Sequence, residues 1–193
     1  EIYTFNPNGS GKVRVTNHSA NDYNPAWSPD GSKIVFNSYR DGQSEIYVMN
    51  ANGTNPVRLT YDVGYDGQPA WSPDGTQIAF LSDRSGSGQI WVMGADGHGP
   101  NQLTALNYAE SPTWSPDGSH LAFDADSDGD GWQELLVMDA NGSNLRLIGD
   151  TGTTADMWAR SWSPDGRFVA FTAIYYVYYY GNWYWTAAHS VAT

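Results

Sequence analysis

The chain contains no cysteine, which excludes disulfides, thiolate catalysis and cysteine-ligated zinc and leaves the redox compartment open. Basic residues are sparse as well. Nine Lys plus Arg stand against 21 Asp plus Glu, for a formal net charge of −12. Such a field repels phosphate backbones and anionic headgroups, so neither nucleic acid nor a membrane surface is an expected partner. No run of about 18 apolar residues is available to span a bilayer, and Glu1 opens the sequence without Met or a basic, apolar leader, as in a mature or trimmed product. Signatures of catalysis are lacking too: there is no GxSxG elbow, HExxH helix, P-loop or GxGxxG turn, and His18, His98, His120 and His189 stand far apart in unlike contexts. The expectation is a protein that is not an enzyme and has no certain cofactor.

What is present is aromatic and repetitive. Hydrophobic residues make up 40% and aromatics 15% of 193 residues, with nine Trp and 13 Tyr, enough to fold a core. The string Trp-Ser-Pro-Asp-Gly occurs four times, at Trp27–Gly31, Trp71–Gly75, Trp114–Gly118 and Trp162–Gly166, with spacings of 44, 43 and 48 residues. That period fits one four-stranded propeller blade. Between the copies lie short β-branched and aromatic runs, Ile34–Phe36, Ile78–Phe80, Leu121–Phe123 and Phe168–Phe171, then Ile46–Met49, Ile90–Met93 and Leu135–Met138. These read as strands.

Each unit therefore reads as strand A ending in the Trp, strand B after the Gly, strand C through the Met, and strand D at Val57–Thr60 or Leu145–Ile148. Ser-Pro-Asp-Gly suits a type I turn between A and B. Asn52-Gly53, Asp96-Gly97 and Asn141-Gly142 are expected to supply the positive φ angles of a tight C–D hairpin. Strands without polar alternation, such as Ile46-Tyr47-Val48-Met49, suit blades covered on both faces.

The WSPDG turn, the IYVMN strand and the RLT ending resemble the repeat of TolB and its relatives over residues 1 to about 173. That resemblance implies an all-β propeller of four-stranded antiparallel blades, about four blades' worth, in a single domain over 1–193. Its parts are a half blade (1–16), full blades (21–60, 65–104 and 108–148) and a last blade with an aromatic tail (158–193). It further implies a periplasmic or extracellular bacterial location. Similar propellers precede the hydrolase domain in the prolyl oligopeptidase and dipeptidyl peptidase families and occur in the tricorn protease, so the motif marks fold more than activity.

The ends depart from the repeat. Glu1–Thr16 matches Glu45–Thr60, so the chain opens on strands C and D alone, and after Phe171 the pattern gives way to a Tyr- and Trp-rich run with Gly181-Asn182 as a hairpin turn. Three arrangements stand open: a closed four-bladed ring, part of a longer ring, and blades completed between molecules through open strand edges.

Positions shared by every repeat, the Trp and Asp of WSPDG, are assigned to the fold. Ligand-facing candidates lie where repeats diverge, on the rim formed by the D–A and B–C connections: Tyr23, Asn24, Asp66, Gln68, Glu110, Ser111, Trp158 and Arg160. Such a mixed polar and aromatic set suits a peptide, a protein loop or a glycan. In the third repeat the B–C loop carries Asp124, Asp126, Asp128, Asp130 and Glu134, a DxDxDG pattern that resembles a calcium loop of integrin-type propellers. It departs from the helix–loop–helix pattern in having Trp132 at the ninth place and Leu135 at the twelfth. A plain soluble turn is the competing reading. The tail, Tyr175 to Trp185, is either a stacking platform for sugars, an assembly surface, or the cap of the last blade. The leading expectation is a protein-binding, scaffolding or self-assembling module. A Ca²⁺-dependent carbohydrate binder and the accessory propeller of a larger peptidase are the alternatives.

Overall fold

A computed structural model describes residues 1–149, 155–179 and 182–192, with side chains for 1–148 and 161–173. Strands β1 (Tyr3–Thr4) and β2 (Val13–Arg14) pair into a two-stranded sheet. Three four-stranded antiparallel sheets follow. The first blade is β3 (Asp22–Trp27), β4 (Lys33–Ser38), β5 (Glu45–Asn50) and β6 (Val57–Arg58). The second is β7 (Asp66–Trp71), β8 (Gln77–Ser82), β9 (Gln89–Gly94) and β10 (Asn101–Gln102), and the third β11 (Tyr108–Trp114), β12 (His120–Asp126), β13 (Glu134–Asp139) and β14 (Arg146–Gly149). The last sheet has three strands, β15 (Ala155–Trp162), β16 (Val169–Tyr179) and β17 (Asn182–Ala192). No helix is present among the described residues, and none is long and apolar enough to cross a membrane.

The five-residue string builds both the turn and the contact between blades. In the first copy Gly31 N donates to Ser28 O at 2.9 Å with Gly31 at φ 68°, closing the expected type I turn. Ser28 Oγ donates to Asp30 Oδ1 at 2.6 Å and accepts from Lys33 N at 2.9 Å, so one hydroxyl ties turn to strand. The same Ser–Asp bond recurs at 2.6 Å in the other three copies. The Trp then reaches sideways: Trp114 Nε1 donates to Ala70 O and Trp162 Nε1 to Thr113 O, each at 3.2 Å and each on the A strand of the preceding blade. Neighbouring A strands thus stand side by side at the inner edge, with the D strands outermost.

Both faces of the middle strands are covered. Val35, Ile46 and Val48 of the first blade meet Ile78, Phe80 and Met93 of the second, and Ala79, Ile90 and Val92 of the second meet Leu121, Phe123 and Met138 of the third. Phe36, Phe80 and Phe123 occupy one repeated position and are fully buried. That two-sided burial is the reason these strands lack polar alternation.

The C–D connections differ from expectation. Within the Asx-Gly pairs only the glycines take positive φ, at 84°, 86° and 87°, while Asn52, Asp96 and Asn141 do not; two residues after the glycine, Asn55 and Asn144 take it as well, at 54° and 53°. Gly53 N donates to Asn50 O and Asn50 N to Thr54 O, a type I turn with a left-handed glycine closing a three-residue loop. The Asx side chain serves instead as acceptor, Asn52 Oδ1 receiving Thr54 N at 3.1 Å. A Cβ on Gly53 would meet Val15 O at 2.1 Å, so the turn abuts the preceding sheet as closely as a glycine allows.

Two further findings concern the ends. The aromatic run forms strands of the last blade: β16 and β17 are its B and C strands extended to 11 residues each, in register from Val169↔Ala192 to Tyr179↔Asn182. Of the expected Gly181-Asn182 turn, Asn182 belongs to β17, and Gly181 lies outside the described residues, as do Tyr180 and the side chains from 174 onward. The half blade packs Ile2 and Val15 against Ile34, Phe36, Tyr47 and Met49 as a neighbouring blade would. Among the described residues β1 and β2 pair only with each other, and β17 holds the place beside β16 that a closed four-bladed ring would give to β1.

Candidate functional site

Every A strand carries a β-bulge at the residue pair expected to face a ligand. Pairing breaks between Tyr23 and Ala26, Gly67 and Ala70, Glu110 and Thr113, and Trp158 and Ser161. In the first three the bulged residue adopts a left-handed conformation without being glycine: Asn24 at φ 50°, Gln68 at 52° and Ser111 at 54°. Each is followed by proline, and the three Xaa-Pro pairs line one pocket of about 330 Å³ where the inner strands meet. A bulge re-aims a side chain away from the ladder, and non-glycine left-handed residues concentrate at sites that use them.

Around this mouth the polar groups are knitted across blades. Gln68 Oε1 accepts from Ser111 N at 2.6 Å and from Ser111 Oγ at 3.1 Å, while Gln68 Nε2 donates to Glu110 Oε2 at 3.0 Å. Glu110 also accepts from Gln133 Nε2 at 3.0 Å and from the Tyr108 hydroxyl at 3.3 Å. A second pocket, of about 500 Å³, opens beside it between the second and third blades, walled by Tyr65, Tyr108, Asp83 and Glu110. Burial, joined by the Glu110 carboxylate, pushes the Tyr108 phenol up to about 12, and burial likewise raises Tyr65, so both hydroxyls stay protonated donors. Neither tyrosine was singled out in the sequence, although both lie within two residues of an assigned position. Tyr23 does reach the surface, edge-on to Tyr39 with ring centroids 6.2 Å apart.

Asp66 is not a rim ligand. It is fully buried and faces Arg84, Nη2 to Oδ2 at 2.8 Å, as Asp22 faces Arg40 at 3.2 Å in the first blade. It sits on the opposite side of the bulge from Gln68, and crossing a bulge reverses the face that simple alternation assigns. Trp158 and Arg160 fall on the part of β15 whose backbone alone is described.

The third blade differs from its neighbours at the B–C loop for a traceable reason. In the others an acidic or amide residue opens strand C and is clasped by a threonine from strand D. Thr60 Oγ1 donates to Glu45 Oε2 at 2.7 Å, Thr104 Oγ1 to Gln89 Oε1 at 2.7 Å and Thr16 Oγ1 to Glu1 Oε2 at 2.8 Å. In the third blade the threonine position is Gly149, and β14 slips past a bulge to pair Gly149 with Leu135. Glu134 instead turns to the loop, where its Oε2 accepts from Ser127 N at 2.8 Å and Ser127 Oγ at 2.7 Å. There it joins Asp126, Asp128 and Asp130, one ligand oxygen from each lying within 4.8 Å of the others. Burial, reinforced by Asp128 and Asp130, holds the Glu134 carboxyl above its ordinary range. An oxygen set of this kind fits a hard divalent cation. Asp124 stands apart from the group, because β12 runs on to Asp126 and places it in the ladder opposite Glu110 and Leu135.

Catalytic geometry is not assembled at either location. Ser119 Oγ lies 2.6 Å from His120 Nδ1, yet the two are adjacent along the chain and the hydroxyl donates to Asp117 at 2.8 Å, as Ser32 does to Asp30.

Residues 1–176 match the family model described as the TolB beta propeller domain. TolB from Acinetobacter baumannii superposes on 98% of the chain with a TM-score of 0.77 and 21% identity, and the chain spans 45% of that protein. A puromycin-hydrolyzing peptidase of Mycobacterium tuberculosis superposes on 86% of the chain at 0.67 and 17% identity, the chain covering 29% of it. Dipeptidyl-peptidase 5 of Porphyromonas gingivalis is 40% identical over 45 residues, 23% of this chain and 7% of the peptidase. That stretch is about one blade long, the length over which the repeat itself recurs.

Proposed function

The chain belongs to the TolB β-propeller domain family, and on that premise we propose that it is a non-catalytic binding module of the bacterial cell exterior, periplasmic or extracellular, which receives a protein segment at the mouth formed by Asn24, Gln68 and Ser111. The observation that carries the reading is the repeated left-handed bulge. Three blades hold a strained, non-glycine residue at one position and direct three different polar side chains into one pocket. Proline at the next residue in each blade gives a rigid apolar lip, and the tyrosines beside Glu110 supply flat surfaces with polar handles. The strongly acidic composition favours a neutral or basic segment.

The test is selection of peptides from a displayed library against the purified chain, followed by affinity measurement with Gln68→Ala and Ser111→Gly. Binders are expected to weaken at least about tenfold with either variant, a loss of about 1.4 kcal/mol. Binders that ignore both variants, or that map to the opposite WSPDG rim, overturn the reading.

A second reading rests on the acidic loop: Asp126, Asp128, Asp130 and Glu134 hold a calcium ion that orders the third-blade rim for a carbohydrate ligand. The carboxylates would supply the coordinating oxygens, with Gly129 and Gly131, both at positive φ, shaping the loop. Titration with Ca²⁺ alone separates this reading from the first.

A further inference from the structure

On the opposite rim, a groove lies between the third and fourth blades. It encloses about 440 Å³, and its lining includes Arg146, Arg167 and His120 but no carboxylate. The chain holds nine Lys and Arg, and four of them are held in ion pairs. Arg14, Arg40, Arg58 and Arg84 are each paired with acids. Arg146 and Arg167 form no ion pair among the described residues, although Asp139 lies near enough to feel Arg146. These two share one cavity. The corresponding groove between the first and second blades is lined instead by Asp30, Asp74, Ser32 and Lys33.

The internal repeat shows how the difference arises. Counting from the Trp of each WSPDG, the residue after the Gly is Ser32, Thr76 and Ser119 in three blades and Arg167 in the fourth. The next is Lys33, Gln77 and His120. Counting from the C–D glycine, Arg146 stands where the other blades have Val13, Val57 and Asn101. Two of the changes place an arginine, each from a different blade, on one groove. The positions that close the turn, Ser163, Asp165 and Gly166, are untouched.

We propose that this groove is an oxyanion site, taking a phosphate or sulfate group carried on an aromatic or apolar body. Two guanidinium groups from opposite walls suit a dianion, each giving paired N–H donors to its oxygens. The body has a surface to lie on: Leu147 and Ile148 are exposed beside the half-buried Trp162, whose ring centroid is 6.4 Å from that of His120. Charges on the remaining surface are screened beyond about 8 Å at physiological salt, so the local pair prevails over the overall acidity at contact distance. The site lies away from the Asn24–Gln68–Ser111 mouth and does not depend on what binds there.

The experiment is calorimetric titration of the full chain with inorganic phosphate and with phenyl phosphate, repeated for Arg146→Val and Arg167→Ser. Both replacements are residues that other blades carry at those positions, so folding is expected to survive, as checked by the unfolding midpoint. Phenyl phosphate should saturate with a Kd below about 1 mM and bind more tightly than inorganic phosphate, and each variant should weaken it at least about tenfold. Lys12→Ala, a cation elsewhere, should leave it unchanged, and Arg167→Lys, which keeps the charge but not the fork, should fall between. Saturation by neither probe, undiminished binding in both variants, or equal affinity for the two probes overturns the assignment.

Discussion

Arg84 is held between an acid and an aromatic ring: Nη2 lies 2.8 Å from Asp66 Oδ2, and the guanidinium sits 4.8 Å above the Trp91 ring. Asp22 and Arg40 repeat the pair in the first blade, with Arg40 4.6 Å above Tyr47. In the third blade the same positions are Ala109 and Ser127, so acid and base are lost together. Removing one member of a buried pair strands the other charge, at a cost of about 3–5 kcal/mol. Arg84→Ser should lower stability by about that amount in denaturant unfolding, and Asp66→Ala by less, because Arg84 Nη1 keeps its pair with Asp62. The double variant should cost clearly less than the sum, as the third blade already demonstrates that the fold accepts the neutral pair. Additive losses would show that the two side chains do not act as a unit.

The four WSPDG tryptophans are not equivalent. Trp114 is 8% exposed and bonded to the A strand behind it, whereas Trp27 is 52% exposed, because the sheet of β1 and β2 offers no A strand to receive it. Trp114→Ala should cost about 3–5 kcal/mol, in line with truncation of a buried aromatic. Trp27→Ala should stay within about 1 kcal/mol. Comparison of urea midpoints at unchanged m-value measures both, and similar losses would mean that Trp27 is covered in solution.

Local chemistry made the blades legible. Ser-Pro-Asp-Gly forms its turn from four consecutive residues, so strand order and the A–B connection follow from sequence alone. The C–D turn is not legible in the same way, because Asn-Gly serves both the two-residue hairpin and the three-residue loop, and only register decides between them. Asp66 is adjacent in sequence to the rim positions but faces the interior, because the bulge that begins one residue later turns Gln68 away from it, and no sequence pattern marks a bulge there except the Xaa-Pro step itself. Its partner was nonetheless visible: Asp22 with Arg40 and Asp66 with Arg84 share a spacing of 18 residues, and both members vanish together in the third repeat. Asp124 stands outside the oxygen cluster for a longer-range reason. Where β12 ends depends on its pairing with β13, which the loop's own residues do not reveal.

Acid should unfold the protein only below the ordinary carboxylate range. Hydrogen bonds from Ser28 foremost, then from Ser32, bring Asp30 down to about 2, and the same turn holds Asp74, Asp117 and Asp165 low. A carboxyl depressed on folding stabilises above its unfolded pKa, near 3.8, and that contribution is lost as pH falls through the folded value. Glu45 and Glu134, raised chiefly by burial, act oppositely: their contribution is full below about 4.5 and is lost as pH rises through their raised values. Stability should therefore hold or rise on acidification from about pH 7 to about pH 5, then fall between about pH 4 and about pH 2. Asp30→Asn should flatten the fall, as read from urea midpoints across that range. A steady decline beginning above about pH 5 would contradict the assignment.

Calcium at about 1 mM, in the range that extracellular modules require, should raise the melting temperature, and a chelator should reverse the rise. Asp128→Asn and Glu134→Gln should each abolish the effect, while Asp124→Asn should leave it in place, because Asp124 lies outside the oxygen cluster. Differential scanning calorimetry with and without the ion decides this. Equal melting temperatures would remove the second functional reading and leave the first untouched.

The left-handed bulges separate a conformational cost from a contact. Asn24 holds φ at 50° and forms no side-chain bond among the described residues, so Asn24→Gly should be neutral or stabilise by up to about 1 kcal/mol, and Asn24→Ala should destabilise. Gln68 holds the same φ but receives the Ser111 N–H and donates to Glu110. Gln68→Gly relieves the backbone yet leaves a half-buried donor and a carboxylate oxygen without this partner, and should cost about 1–3 kcal/mol. Opposite signs for the two glycine variants, measured by chemical unfolding, are expected if the strain at Gln68 is kept for what its side chain does at the mouth. Stabilisation by both would mean that the bulge is set by the strand alone and that the side chains at its apex are interchangeable.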